Sequence, residues 1–332
     1  MHFPVDTLIN KLAFILKKNG ISTYHSNLIA KIMVDGDRKG YSTHGCERIF
    51  QLLDGLKQGT ISNQYHIKKI RKTKSVETWD AKNSIGQISG HNAMLAAVKL
   101  AQSSGIGLVG VINASHLGIL SYYSELAAKN GCIGIVLTTS SPAVALPKGK
   151  IKTFGTNPIS FSIPHTPFNL TGDFATSKVS RGRVINALAN KESIPLTWAV
   201  DQNGLPTESP QKALEGGLQV FDNDYKGSLL SFLFSILAGP LLGGVSNDKV
   251  RGTRYMSDTP NKGDFFLAIH IPSLTDVEQF NNSIQQFIEF ISIQNSDFST
   301  PGLLEYNNKI NAYKNGIITS EKLQQLFKNY GT

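Results

Sequence analysis

Apolar residues at Leu8, Leu12, Ile15 and Leu16 fall on one helical face over residues 5 to 19, and Asn19-Gly20 supplies the stop. Leu28, Ile29, Ile32 and Met33 repeat that spacing and predict a second helix over 24 to 39, interrupted by Gly40-Tyr-Ser-Thr-His-Gly45. A third helix is expected over 47 to 57, closed by Gly59-Thr60. The period then changes. Alternation around Val76 to Asp80 marks a strand, and Gly86 to Gly90 leads into a helix over 91 to 103. Residues 108 to 113 read as a strand, 119 to 129 as a helix, and 133 to 138 and 160 to 163 as strands. Strand and helix in this order predict an α/β sheet with crossover connections. Further on, the pattern gives a helix over 180 to 190, a hairpin turn at Asp201-Gln-Asn-Gly204 and a helix after Lys226-Gly227. A strand over 265 to 271 and an amphipathic helix over 277 to 294 follow. The tail from Glu305 to Tyr330 holds two helical segments around Asn315-Gly316. The longest apolar run, Leu229 to Val245, is broken by Gly239-Pro240 and Gly243-Gly244 and reads as a buried helix with a break, not a membrane span.

Length and composition change this picture little. The 332 residues allow one large domain or two ordinary ones, and 40% hydrophobic with 17% charged residues is globular. Charge adds more. With 33 basic and 24 acidic side chains the net charge is +9, which calls for an anionic partner. The lysines are scattered, and the densest cluster, Lys68 to Lys74, holds no aromatic residue, so it reads as a solvated strand edge and not a nucleic-acid surface. A nucleotide cofactor with a small carboxylate substrate fits the same sign. Cys46 and Cys132 lack disulfide or metal-site spacing, and the amino terminus lacks a basic region followed by an apolar stretch. A reducing cytoplasm and no metal are expected.

Candidate chemistry centres on Asn113-Ala-Ser-His-Leu-Gly118, directly after an apolar strand, and on Tyr41-Ser-Thr-His-Gly45. A histidine near neutral pKa passes protons, and Arg48, four residues after His44 on one helical face, can hold a carboxylate bidentately. Gly105-Ile-Gly107-Leu-Val-Gly110 matches the dinucleotide fingerprint literally, but a helix enters it and a strand leaves it. That reverses the order that puts a helix amino terminus on a pyrophosphate, so Gly105 is expected as a helix cap and the others as packing positions. Asp173-Phe-Ala-Thr-Ser177 reads either as a helix N-cap or as a phosphate or ribose cradle, and Lys226 either reaches a phosphate or is simply exposed.

Taken together, Asp37-x-x-Gly40-x-x-Thr43-His44-Gly45-x-x-Arg48, Ser115-His-Leu-Gly118, Gly155-Thr-Asn-Pro158, Asp173-Phe-Ala-Thr-Ser177, Pro195-Leu-Thr-Trp198, Asp201-x-x-Gly204-x-Pro-Thr207 and Lys226-Gly227 resemble the malate/L-lactate dehydrogenase family, in the family's order over nearly the whole chain. The resemblance implies a family-specific, non-Rossmann α/β fold: a large NAD(P)-binding sheet domain over 76 to 274, and a smaller helical domain over 1 to 75 joined by 275 to 332, in a homodimer. It implies His44 or His116 as proton donor or acceptor beside Thr43, with Arg48 and Thr156 on the substrate. It implies His116, Ser140, Asp173, Ala175, Thr176, Tyr225, Lys226 and Gly302 on NAD or NADP. The expected reaction moves a hydride between nicotinamide and C2 of a small 2-oxo acid or a cyclic imine of the piperideine- or pyrroline-2-carboxylate type. The alternatives are a malate- or lactate-type 2-hydroxyacid dehydrogenase and a decayed, non-catalytic dimeric binding protein. Two departures bear on these. Asp222-Asn-Asp224 replaces glycines before the lysine and adds negative charge there, and Lys178 to Asn190 carries no acidic residue to orient His44.

Overall fold

A computed structural model describes residues 2–222 and 224–332. The first three helices, α1 (Val5–Lys18), α2 (Thr23–Arg38) and α3 (Arg48–Gln58), lie where the apolar spacing puts them. Ser22 caps α2 through its hydroxyl, which accepts from His25 N, and Gly59 closes α3 with φ 72°. Seven strands form the main sheet: β1 (Lys68–Lys72), β2 (Val76–Asp80), β3 (Ile106–Ile112), β4 (Cys132–Thr138), β5 (Ile159–Ile163), β6 (Leu170–Phe174) and β7 (Gly263–His270). Their spatial order is β1-β2-β3-β7-β4-β5-β6.

The crossover expectation holds for β2 and β3, which pair in parallel through α4 (Gly86–Ser104). It misses what lies between β3 and β4. These two run the same way on either side of α5 (Ser121–Ala128), yet β7 is inserted between them, antiparallel to both, from a point more than a hundred residues later. Gly263 faces Ile112 and Asp264 faces Thr138 in that register. β1 is the exposed edge strand, with Lys69 reaching Glu77 at 2.8 Å, as the lysine cluster implied.

One face of the sheet packs on α2, α4 and α5 through Ile32, Ala93, Ala97, Ala101, Val109, Val111, Tyr123 and Phe266. Alanine at every fourth position of α4 lets helix and strand approach closely. A Cβ on Gly107 would stand 1.9 Å from Ala97 O, so this glycine of the apparent fingerprint is a packing position, and Gly105 caps α4 with φ 82°. The helix starts at Gly86, five residues before the sequence pattern suggested, because Ser115 Oγ accepts from Gly86 N and ties that first turn to the loop after β3.

The other face of the sheet carries α8 (Tyr225–Leu237) on Ile112, Leu137 and Phe265, through Phe234 and Ala238. This helix was expected to be buried, and it is only half so: Leu229, Phe232, Leu233 and Ile236 are all at least 40% exposed. The apolar window Tyr225–Leu242 has a mean hydropathy of 1.4 over 18 residues. The α-helix itself ends at Leu237, and 13 residues reach about 20 Å, short of the ~30 Å of a bilayer core.

Asp173 and its neighbours do not cap a helix. Asp173 lies in β6, and α6 (Arg181–Asn190) is capped by Ser180, whose hydroxyl accepts from Arg183 N. The Asp201 turn closes a hairpin through the bridge from Val200 to Pro206, and α7 (Pro210–Glu215) follows. Residues 144–145, 152–154, 199–200 and 217–218 form a small second sheet, beside a separate core of Val144, Val184, Ala199, Leu218 and Val220. Past β7 come α9 (Val277–Gln294), α10 (Leu303–Asn315) and α11 (Glu321–Asn329). Leu323 and Phe327 of α11 join Leu8, Leu12, Ile29 and Ile49 in one apolar cluster, while α9 has no buried residue.

Candidate active site

Two loops converge. The turn between α2 and α3 carries Thr43 and His44, and the loop after β3 carries His116. Their imidazole centroids are 5.6 Å apart, although 72 positions separate the histidines in the chain. Asp37, near the end of α2, pins the first loop: its carboxylate accepts from Cys46 N at 2.8 Å. Burial raises the Asp37 carboxyl to about 6.

The two histidines are held differently. His116 Nδ1 accepts from Gly118 N at 2.9 Å. A backbone N–H can only donate, so the proton of the neutral ring sits on Nε2, and an imidazolium would set N–H against N–H. Its pKa is well below the ordinary value, first through burial and then through Arg48, His44 and Lys262. His44 Nδ1 instead faces Thr43 Oγ1 at 3.0 Å, and a hydroxyl serves as donor or acceptor, so this ring can take either tautomer or both protons. Burial and then Arg48 lower His44 to about 3.

Arg48 opens α3. Its Nε donates to Thr43 O at 2.8 Å and its Nη1 to Gln51 Oε1 at 2.9 Å. Burial, then Arg181, brings it down to about 10. Gln51 in turn donates to Thr253 O at 3.0 Å, and Thr253 Oγ1 accepts from Ser141 N at 2.9 Å, which links the histidine loop to the end of β4.

There a polar network gathers three of the expected residues. Ser140 Oγ accepts from Thr156 N at 3.0 Å, Thr176 Oγ1 donates to Thr156 O at 3.0 Å, and Ser231 of α8 donates to Thr176 Oγ1 at 2.8 Å. Asn157, buried with φ 32°, braces them through Ser235 at 2.9 Å and Asn247 at 2.6 Å. Ala175 lies beside Thr176, half-buried.

Asp173 and Gly302 stand elsewhere. Asp173 accepts from Ser121 N at 2.7 Å at the start of α5, and burial raises its carboxyl to about 6. Gly302 packs on Asn169 and Thr171 at the start of β6, a strand about 16 Å long whose far end leads to Thr176, and it lines a cavity of about 290 Å³ with Phe168, Glu305 and Lys309. Tyr225 and Lys226 are exposed at the start of α8. Asp222 is not simply added charge there: its Oδ1 accepts from Asp224 N and Gly227 N, each at 3.2 Å, and so caps the helix. Asn223 lies outside the described residues.

Sequence reasoning missed Gln51, Thr253, Arg181, Arg254 and the buried pair Lys262 and Asp264. Gln51 had a signal, one helical turn from Arg48. Residues 253 to 264 had none, since only tertiary folding carries them to the site. Asn113 N donates to Lys262 O at 3.0 Å, which sets the lysine behind the His116 loop.

A family model described as malate/L-lactate dehydrogenase matches residues 3–327. The chain is 38% identical over 314 residues to a malate/(S)-sulfolactate dehydrogenase of Methanothermus fervidus, covering 95% of this chain and 92% of that one. It is 31% identical over 258 residues to a Δ1-pyrroline-2-carboxylate reductase of Burkholderia ambifaria, covering 76% and 75%. The solved sulfolactate dehydrogenase from Methanocaldococcus jannaschii superposes with a TM-score of 0.91 at 33% identity, over 99% of this chain and 96% of that one.

Proposed function

The chain belongs to the malate/L-lactate dehydrogenase family, and on that premise we propose that it interconverts a small 2-oxo acid, or a cyclic imine equivalent, with its reduced product, His44 carrying the proton. It is an oxidoreductase and uses a nicotinamide cofactor. The observation that carries the residue assignment is the histidine pair, 5.6 Å between ring centroids, one ring held in a single tautomer by a backbone N–H and one facing a hydroxyl that can donate or accept.

NAD or NADP supplies the hydride for C2 when bound. Ser140, Asp173, Ala175, Thr176, Tyr225, Lys226 and Gly302 would hold the cofactor, Lys226 supplying a cation for its phosphates, and Thr156 would face the substrate. Ser228 Oγ and Asp222 Oδ2 are both buried close to Lys226 with no hydrogen-bond partner among the described residues, and they fit a cofactor there: the serine hydroxyl could donate to a phosphate and the carboxylate oxygen could accept from a ribose hydroxyl. Arg48 grips the C1 carboxylate. His116 donates from Nε2 to the C2 oxygen or nitrogen and orients it, and His44 delivers the proton. One 2-oxo acid, one NAD(P)H and one proton give one 2-hydroxy acid and one NAD(P)+. A carboxylate on Arg48 cancels part of the repulsion that depresses His44, so substrate binding itself brings the acid toward its working range.

Activity is tested by following reduced-nicotinamide absorbance, with either cofactor, against pyruvate, oxaloacetate, diketogulonate and piperideine-2-carboxylate. No oxidation with any of them sinks the reading. The proton assignment has its own test. His44→Ala is expected to lower kcat about 10²–10⁴-fold and flatten its pH dependence, whereas His116→Gln, which keeps an N–H donor, retains the pH dependence. The reverse pattern moves the proton to His116.

We further propose a homodimer in a reducing, cytoplasmic setting. The exposed Leu229, Phe232 and Leu233 of α8 and Phe287, Phe290 and Ile293 of α9 support the dimer, and the two buried free cysteines support the setting. The same reading divides the chain into a sheet unit over 76 to 274 and a helical unit of both termini, supported by the cluster that joins Leu8 to Leu323 and Phe327.

A further inference from the structure

One buried ion pair close to the site takes no part in the steps above. Lys262 and Asp264 are both enclosed, two positions apart at the start of β7, so their side chains leave the sheet on one face. The Lys262 ammonium pairs with Asp264 Oδ1 and reaches Thr138 Oγ1 at 3.5 Å, while Thr138 donates to the same carboxylate oxygen at 2.5 Å. Asp264 Oδ2 has no hydrogen-bond partner among the described residues. Burial works against both charges, and each is the other's counter-ion. A buried pair satisfied only in part is a weak stabiliser, so its place in the fold calls for another reason.

That place is the junction of two segments that build the site. Lys262 O accepts from Asn113 N at 3.0 Å at the root of the His116 loop, where Asn113 turns with φ 61° and its amide donates to Asp80 at 3.0 Å. Gly263 N donates to Thr139 Oγ1 at 3.1 Å and Gly263 O accepts from Thr139 N at 3.0 Å, directly before Ser140. Tyr123 OH donates to Leu117 O at 2.5 Å, and its ring meets that of Phe266, the next residue on this face of β7, at 5.8 Å. The pair is oriented. Its ammonium end acts on His116 and its carboxylate end on Tyr123. The titratable groups facing His116 are Arg48 of α3, His44 of the opposite loop and Lys262 from the sheet. Arg48 acts on both rings and cannot tell them apart; Lys262 acts on His116 and not on His44.

We propose that Lys262 is a positioning residue for the reaction, held by Asp264 and Thr138 so that its charge keeps His116 a neutral Nε2–H donor to the C2 oxygen or nitrogen. This rests on the assignment of the proton to His44 made above. Two adjacent imidazoles compete for one proton, and a fixed cation beside one of them sends it to the other. Gly118 N, which occupies the Nδ1 lone pair of His116, works in the same direction.

The test is 15N NMR of histidine-labelled protein, each ring assigned by its absence from His44→Ala or His116→Gln. In the unaltered protein His116 is expected to hold its proton on Nε2 and to gain no second one across about pH 5–8. A His116 that titrates there overturns the proposal, whether or not any variant folds. Lys262→Gln combined with Asp264→Asn replaces the ion pair by an amide pair of similar shape. It is expected to raise the proton affinity of His116 about tenfold, and to move the acid limb of kcat for oxaloacetate reduction to higher pH with KM little changed. Lys262→Arg, which keeps the charge, is expected to hold the unaltered profile. Lower stability with the His116 signal and the pH profile unmoved makes the pair purely structural and overturns the proposal alone. Turnover of none of the 2-oxo acids overturns the oxidoreductase reading instead.

Discussion

The fold removes positive charge from water in two places and treats it in opposite ways. Below the start of α5, Lys39 is completely enclosed, yet Asp35 at 2.9 Å and Glu125 at 3.0 Å close on its ammonium, with Ser121 Oγ at 3.1 Å. Arg38 and Lys309 complete the ring of opposite charges. Burial alone lowers a lysine, but here the two carboxylates outweigh it and Lys39 is raised. Around the histidines Arg48 and Arg181 have no carboxylate in ion-pair contact among the described residues, and burial together with neighbouring cations lowers both, Arg48 to about 10, while burial and then Arg48 bring His44 to about 3. The first region neutralises itself and holds the helices together. The second leaves Arg48 and Arg181 without a carboxylate in ion-pair contact among the described residues.

That contrast breaks most sharply at Lys39. Lys39→Met leaves Asp35 and Glu125 buried without their common cation, and should cost about 3–5 kcal/mol in denaturant unfolding. A cost below about 1 kcal/mol would place both regions in one class. Arg48→Gln is the matching change on the other side. It should lower kcat/KM about 10–100-fold through loss of a charge-assisted pair. Folding stability should stay level or rise slightly, because the repulsion from Arg181 is relieved. A large loss of stability there would mean that Arg48 is structural.

The self-neutralised region explains what the sequence could reveal and what it could not. The helices and most strands are local in origin, and α2 or α9 follow from apolar spacing within one window. His44, Arg48 and His116 were legible because glycine-flanked histidines after predicted elements are unusual, and because seven motifs stand in order. Lys39, Glu125 and Lys309 were not, since their meaning lies in contacts over 86 and 184 positions. Arg181 and Arg254 failed for the same reason: an arginine shows its charge in the sequence, but whether a carboxylate stands beside it is a property of three dimensions. The insertion of β7 between β3 and β4 brings Lys262 behind His116, and no periodicity encodes a sheet neighbour so distant in the chain.

Helix α2 carries one carboxylate into each region, two positions apart, and this gives the smallest and most discriminating test. Burial pushes Asp35 up, but Lys39, Lys309 and Arg38 overcome it and hold that carboxyl well below its usual range. Asp37, without a cation beside it, rises from 3.8 to about 6. A raised folded-state pKa contributes stability that is fully present below 3.8 and lost as pH rises through about 6. His44 has the opposite sign: lowered from 6.5 to about 3, it leaves stability intact above 6.5 and removes it as pH falls toward 3. Between about pH 6.5 and 5.5 the two oppose one another, so acidification should weaken the native protein only mildly. Asp37→Asn deletes the compensating carboxyl and should steepen that loss by about 0.5 kcal/mol, a figure already reduced for partial exposure. Asp35→Asn should leave the slope in this window untouched while lowering stability throughout. If the two variants instead share one pH slope, the difference between the paired and the unpaired region does not reach their carboxylates.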